Sequence, residues 1–367
     1  MKNLRLMIPG PVEVDPDVLA VMAKPMTPHY GKEWAEFYYE TSRLLQKIFQ
    51  TDGDLFIFPG SGSAGLDAAF AATVFPDGKL LIPKNGFFGE RLEEIARTYS
   101  SQVHTLEFPV GQQIDLDQLE DTLRRNQFDA LALVHCETSI GMLTPVQEAA
   151  QLCRKYGVLC IIDAVSSLAI EPLEMDAWGI DLCVSASQKG LESPPGLGLA
   201  AVGKNAWKRI EHVKSPGWFL NFKIWKKYEK QWGDWHPQPI THAVNNLKAL
   251  RKGIDRVLEE GLEARFDRHR ACTRQLRQGL QARGFELCVP DNSASHGVTS
   301  ARDPRNKVAE LLAYLREEQG IALAGSLGEL KGKVFRVGHM GTGATTEMIN
   351  MVLTALDQAI IALYPGQ

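Results

Sequence analysis

Between Gly60 and Gly203 the chain alternates short, continuously apolar runs with amphipathic stretches of helical period, a pattern that few folds accommodate. The apolar runs occupy residues 79–83, 103–108, 130–135, 158–163, 182–185 and 197–202; helical patterns lie between them, as at residues 64–72, 89–99, 116–126 and 146–156. A strand that is apolar on both faces must be covered on both faces, and helices between successive strands supply the crossovers that parallel pairing requires. The expected fold class is α/β: a mostly parallel sheet sandwiched by helices, with ligands collecting outside the carboxyl ends of the strands.

After Lys204 the texture changes. An aromatic, proline-broken stretch that includes Trp218, Phe219, Trp225, Trp232, Trp235, Pro237 and Pro239 leads into a helical pattern running from Ala243 to about Arg283. The organisation expected is an N-terminal arm over residues 1–20, a large domain over 21–245, and a linker helix with a smaller C-terminal α+β domain over 246–367, which a chain of 367 residues is long enough to supply with two cores.

Composition narrows the function classes. The 40 lysines and arginines are scattered among 44 aspartates and glutamates, so no basic stripe for nucleic acid is visible. The apolar run near the start is broken at Pro9 and is too brief for a signal-peptide core or a membrane span; a cytoplasmic protein without membrane contact is expected. Six cysteines, Cys136, Cys153, Cys160, Cys183, Cys272 and Cys288, form no CxxC pair and mostly sit inside apolar runs, as reduced buried thiols do. Neither a disulfide framework nor a metal site is expected.

Chemistry-bearing residues cluster where apolar runs end. Ser187-Gln188-Lys189-Gly190 follows one run; an amine held there is partly desolvated and its pKa falls, the state that lets it attack an aldehyde, although a solvated loop lysine is the other reading. Asp163 closes the preceding run, where a carboxylate needs a cationic or hydrogen-bonded partner, or else caps the turn that follows. Gly60-Ser61-Gly62-Ser63 precedes an alanine-rich helix pattern, and small residues at a helix start suit an anion such as phosphate, though such turns are common without one. Phe88, in Asn85-Gly86-Phe87-Phe88-Gly89, offers an aromatic face or a core side chain. Arg336 lies inside an apolar run and requires a carboxylate, either a substrate's or an internal partner's.

In this order along the chain, these segments together with Pro9-Gly10-Pro11, Glu137-Thr138-Ser139-Ile140-Gly141, Asp163-Ala164-Val165-Ser166-Ser167, Pro194-Pro195-Gly196 and Arg336-Val337-Gly338-His339-Met340-Gly341 resemble the class V, fold-type I aminotransferases, closest to the alanine–glyoxylate and serine–pyruvate branch. The resemblance implies pyridoxal 5′-phosphate as cofactor and transamination between a small amino acid, alanine or serine, and a small 2-oxo acid, glyoxylate or pyruvate. It implies Lys189 as the Schiff-base lysine and proton carrier, Asp163 against the pyridine nitrogen, Val165 beneath the ring and Phe88 stacked on it. Thr138 falls near the phenolic oxygen, and Ser61, Gly62, Ser63 and Gln188 around the phosphate. Arg336 would hold the substrate carboxylate, with backbone of Gly10 nearby. It further implies a homodimer in which Gln238 and Thr241 of one subunit complete the phosphate site of the other; Gln238 stands where relatives often carry tyrosine. Other class V chemistry stays open, a desulfurase or lyase, or a phosphonate or pyridoxamine aminotransferase, as does a non-catalytic aminotransferase-like subunit. Cys288 is the cysteine that a desulfurase reading would call on.

Overall fold

The computed structural model describes residues 4–364. Its largest element is a seven-stranded sheet of β1 (Asp54–Pro59), β2 (Lys79–Lys84), β3 (Gln102–Glu107), β4 (Ala130–Val134), β5 (Leu159–Asp163), β6 (Leu182–Ala186) and β7 (Leu197–Val202). These are hydrogen-bonded in the order β1-β7-β6-β5-β4-β2-β3. Strands β2 to β6 pair in parallel, and β7 runs antiparallel to both its neighbours. The mostly parallel, helix-covered sheet expected from the alternation is therefore present.

Period-two alternation explains why both faces are covered. Leu131, Leu133, Cys160, Ile162 and Cys183 face one core, under the helices Lys32–Phe49, Val146–Tyr156 and Val244–Glu260. Ala132, Val134, Ile161, Leu182 and Val184 face the other, under the helices Gly62–Thr73 and Phe87–Tyr99. Two positions beyond Ile161, Asp163 continues the second face and so points to the side of the sheet that carries Phe88.

Three features depart from the sequence pattern. Strand β1 alternates Leu55 and Ile57 into one core with Phe56 and Phe58 into the other, and joins the sheet through the antiparallel β7. The aromatic stretch contains a helix, Phe222–Trp232, capped by the Asn221 side chain; its Phe222 and Trp225 rings lie 4.7 and 4.8 Å from those of Phe56 and Phe58 respectively. The long helical pattern is two helices, Val244–Glu260 and Leu262–Ala282, broken at Gly261, whose φ of +81° glycine adopts without steric penalty.

A second, antiparallel sheet is built from β8 (Glu286–Leu287), β9 (Val298–Arg302), β10 (Ala324–Gly325) and β11 (Val334–Gly338), in the order β8-β9-β11-β10. The helices Leu262–Ala282, Val308–Glu317 and Thr346–Leu363 pack on it. Thr346–Leu363 is long and apolar enough to cross a membrane by length and composition, but Ile349, Val352, Leu353, Leu356 and Ala359 are buried in this core. The N-terminal segment runs between the two sheets: Arg5–Leu6 pairs with Ile321–Ala322 in a separate two-stranded ladder, the Gly338 N–H of β11 donates to Met7 C=O at 2.9 Å, and the Val12 N–H donates to Gln188 C=O at 3.1 Å, in the loop after β6. All six cysteines are free thiols, and five are buried.

Candidate active site

Strands β4, β5 and β6 end together, with Val134 opposite Asp163 and Asp163 opposite Val184, so the segments that follow them open on one edge of the sheet. A cavity of about 370 Å³ lies there. Its wall brings together Gly10, Ser61, Gly62, Ser63, Phe88, Thr138, Asp163, Val165, Gln188 and Lys189, drawn from six separate segments of the chain. A larger cleft of about 550 Å³, among Asp54, Lys223, Lys226 and Lys230, holds no comparable set of convergent groups.

Lys189 is 9 % exposed, and its Nζ donates to the Pro9 carbonyl. Burial draws its pKa from 10.5 down to about 8. The solvated-loop alternative is thereby removed. Close packing holds the chain around it: a Cβ on Gly10, whose φ is +108°, would sit 2.5 Å from Lys189 Cδ and Cε, and one on Gly190 would sit 2.1 Å from the Leu168 carbonyl oxygen. Only glycine fits at either place.

Asp163 is 7 % exposed; its Oδ1 accepts from the Val165 N–H at 2.9 Å. Among the described residues Oδ2 receives no hydrogen bond. Burial pushes the carboxyl from 3.8 up to about 6, with the negative charge of Glu137 acting in the same direction. A cation or strong donor placed in the cavity would reverse that shift.

The anion end is equally open to a ligand. Ser61 caps the helix Gly62–Thr73 without a side-chain hydrogen bond, so its first-turn N–H groups have no side-chain acceptor, and Gln188 lines the cavity beside them. A Cβ at Gly62 would come within 2.7 Å of Val165 Cγ2, so glycine there is what lets the helix start approach Val165. Thr138 donates through Oγ1 to Ser166 Oγ at 2.7 Å.

Arg336 lies behind Thr138 rather than on the cavity wall. Its Nε and Nη2 donate to Gly325 C=O at 3.0 and 2.7 Å, and its Nη1 to Thr138 C=O at 3.0 Å. No ion pair to it forms among the described residues, which removes the internal salt bridge; one N–H remains on each Nη, a fork suited to a carboxylate. Gln238 and Thr241 are not on the wall of their own chain's cavity. Gln238 is fully buried and donates to His29 C=O at 3.0 Å, so its side chain is engaged within its own chain; Thr241 is exposed.

Sequence reasoning missed Arg91, Ser166 and Glu137. Arg91 lines the cavity with its guanidinium 5.0 Å from the Phe88 ring centroid and 5.1 Å from that of Phe87. Its position three residues after Phe88, on the same helix face, was the available signal.

Comparison with known proteins agrees with this geometry. Residues 19–334 match the family model described as aminotransferase class-V. The chain is 35 % identical to an uncharacterized aminotransferase of Methanocaldococcus jannaschii, over 94 % of this chain and 89 % of that one. It is 32 % identical to the (S)-ureidoglycine–glyoxylate transaminase of Bacillus subtilis, over 97 % and 90 % of the two chains. The solved structure of alanine–glyoxylate aminotransferase from Nostoc sp. superposes with a TM-score of 0.93 at 32 % identity, covering 98 % of this chain and 96 % of that one. A buried lysine and a buried aspartate at adjacent strand ends, a helix start without a side-chain acceptor and a match that spans the sequence lead to one conclusion: the chain belongs to the class V aminotransferase family.

Proposed function

We propose that this chain is a pyridoxal 5′-phosphate-dependent transaminase exchanging an amino group between a small amino acid, alanine or serine, and a small 2-oxo acid, glyoxylate or pyruvate. The observation that carries the reading is the pair Lys189 and Asp163, both desolvated on the wall of one cavity. The residues present fit the cofactor at each of its ends: a low-pKa amine for the aldehyde, a buried carboxylate for the ring nitrogen, and the helix start at Ser61, Gly62 and Ser63, with Gln188, for the phosphate.

When bound, pyridoxal phosphate supplies a conjugated ring that accepts the electron density released at the substrate α-carbon. Asp163 holds a proton at the ring nitrogen, a task its raised affinity for protons suits. Val165 and Phe88 would hold the ring from its two faces, and Thr138 with Ser166 would offer hydroxyls beside it. Lys189 Nζ takes the proton from the α-carbon and returns it, and its amine is neutral in a useful fraction near pH 8. Arg336 orients the substrate through its carboxylate, which fixes the breaking C–H bond relative to Lys189.

A homodimer belongs to this reading. Tyr30, Trp232 and Trp235 form an exposed aromatic patch, with ring centroids 6.1 Å apart for Tyr30–Trp235 and 5.8 Å for Trp232–Trp235, and Thr241 remains free to meet a second subunit. A desulfurase reading finds no thiolate. Cys288 packs beside the Ile140, Met142 and Val289 cluster, away from the cavity, and Cys136, which does line the cavity, is pushed by burial up to about 12.

Alanine, serine, (S)-ureidoglycine and aspartate, each assayed against glyoxylate and pyruvate, test the substrate class. Alanine or serine is expected to exceed aspartate in kcat/KM by about a hundredfold, the scale on which a site rejects a group that it cannot pair. Preference for ureidoglycine would move the reading to the second relative's reaction; preference for aspartate would show Arg91 acting as a second carboxylate receptor. Arg336→Ala is expected to raise KM for donor and acceptor alike by about a hundredfold, with a smaller fall in kcat, because a carboxylate clamp acts before and during the reaction. Unchanged KM values would remove Arg336 from substrate recognition.

A further inference from the structure

Glu137 is fully buried, takes no part in the chemistry above, and gathers four hydrogen bonds on one carboxylate. Its Oε2 accepts from the backbone N–H groups of Phe88 and Gly89, both at 3.0 Å. Its Oε1 accepts from the Ser139 N–H at 3.1 Å and from the Ser139 hydroxyl. Phe88 and Gly89 belong to the first turn of the helix Phe87–Tyr99, whose N-cap, Gly86, has no side chain to satisfy them. The cap comes instead from a segment about fifty residues further along the chain. Glycine at 86 is what admits it, since a Cβ there would lie 2.6 Å from Glu137 Cδ and Cγ.

The two things so joined are both parts of the cavity wall. On one side stands the helix turn that presents Phe88. On the other stands the turn at residues 138–139, where Thr138 faces Ser166 and its carbonyl accepts from Arg336, while the Ser139 carbonyl accepts from the Ser326 hydroxyl. A negative charge at a helix start is favoured by the helix dipole, and bonds to a charged acceptor are stronger than neutral ones. Burial raises the Glu137 carboxyl above its ordinary value, and the four donors offset only part of that rise.

We propose that Glu137 is a positioning residue for the cofactor: its carboxylate ties the first turn of the Phe87–Tyr99 helix to the turn at residues 138–139 and thereby fixes the Phe88 ring over the cavity. This rests on the reading of Phe88 as the residue that stacks on pyridoxal phosphate. Without the carboxylate the helix start loses two N–H partners at once, and the ring is free to swing with it. A glutamine in its place turns an NH2 group toward one of the two donor pairs.

A double-substitution cycle separates this role from general support of the fold. Parent, Glu137→Gln, Phe88→Ala and the double variant are stripped of cofactor, and each is titrated with pyridoxal phosphate. Affinity, visible circular dichroism per bound cofactor and the thermal midpoint of the apoprotein are measured. Glu137→Gln is expected to weaken binding roughly tenfold and to diminish the dichroism, and the double variant to bind within about twofold of Phe88→Ala alone, because coupled residues do not add. Losses that multiply, a Phe88→Ala variant that binds as the parent does, or a Glu137→Gln variant with parental affinity and dichroism would each overturn the proposal. Should Glu137→Gln not fold, Glu137→Asp, which keeps the charge one methylene shorter, enters the same cycle with the same expected coupling. A parent protein that binds no pyridoxal phosphate would sink the proposed function itself, and this inference with it, before any variant is made.

Discussion

Lys189→Ala is expected to lower turnover by about four orders of magnitude or more and to abolish the absorbance band of the lysine Schiff base. Both losses come from one atom. In the proposed reaction Nζ is both the amine that captures the aldehyde and the group that carries the proton, and among the described residues no other lysine lines the cavity. Retention of either signal would remove Lys189 from the centre of the site. The same position is expected to show an opposite effect on stability. Its folded pKa of about 8 lies below the ordinary 10.5, so the folded chain holds the ammonium less readily than the unfolded chain does. The cost is full below pH 8, fades as pH rises from 8 to 10.5, and is absent above that window. In the cofactor-free protein, Lys189→Met, which keeps most of the side-chain volume, is therefore expected to be more stable than the parent at pH 7, by at most about 3 kcal/mol, and to lose that advantage near pH 10. Denaturant unfolding at the two pH values reads this directly. Equal stability at pH 7 would mean that the amine is not desolvated.

What the chain discloses before it folds follows from which physical terms are local. The alternation through Ala130–Val134 and Leu159–Asp163 is local, because each residue's burial shows in its own side chain, and it discloses both the sheet and the run-ending positions of Asp163 and Lys189. Direction and neighbours are not local. The run Leu197–Val202 is apolar at every position and looks the same whether it pairs parallel or, as it does, antiparallel to β6 and β1. Helical spacing was present at Phe222, Trp225, Tyr228 and Trp232, but prolines and glycines on either side conceal it. Glu137 and Gln238 mark the limit more sharply. An acid beside Thr138 carries no sign that it will cap a helix beginning at residue 87, nor Gln238 that its amide will reach His29, because both contacts exist only once distant segments are folded together.

Asp163→Asn is expected to reduce kcat by about a thousandfold while leaving the fold intact, since the two side chains differ by little more than the charge. In the proposed reaction an amide at this position could not hold a full proton at the ring nitrogen, so the electron sink would be weakened when Lys189 takes the α-proton. Stability again moves the other way, and its pH window follows from the sign. The folded pKa of about 6 lies above the ordinary 3.8, so the folded chain binds a proton more readily than the unfolded one. Its burial cost is complete above pH 6 and is relieved as pH falls from 6 to 3.8. Cofactor-free Asp163→Asn is thus expected to unfold at a higher temperature than the parent at pH 7.5, and the two are expected to converge by pH 4. Cofactor reverses the order: a cationic ring nitrogen offsets the cost in the parent alone, so pyridoxal phosphate should raise the parent's midpoint by the larger amount, a difference on the order of 3 kcal/mol at most. If the cofactor stabilises both proteins equally, the carboxylate of Asp163 does not face the ring nitrogen, however buried it is.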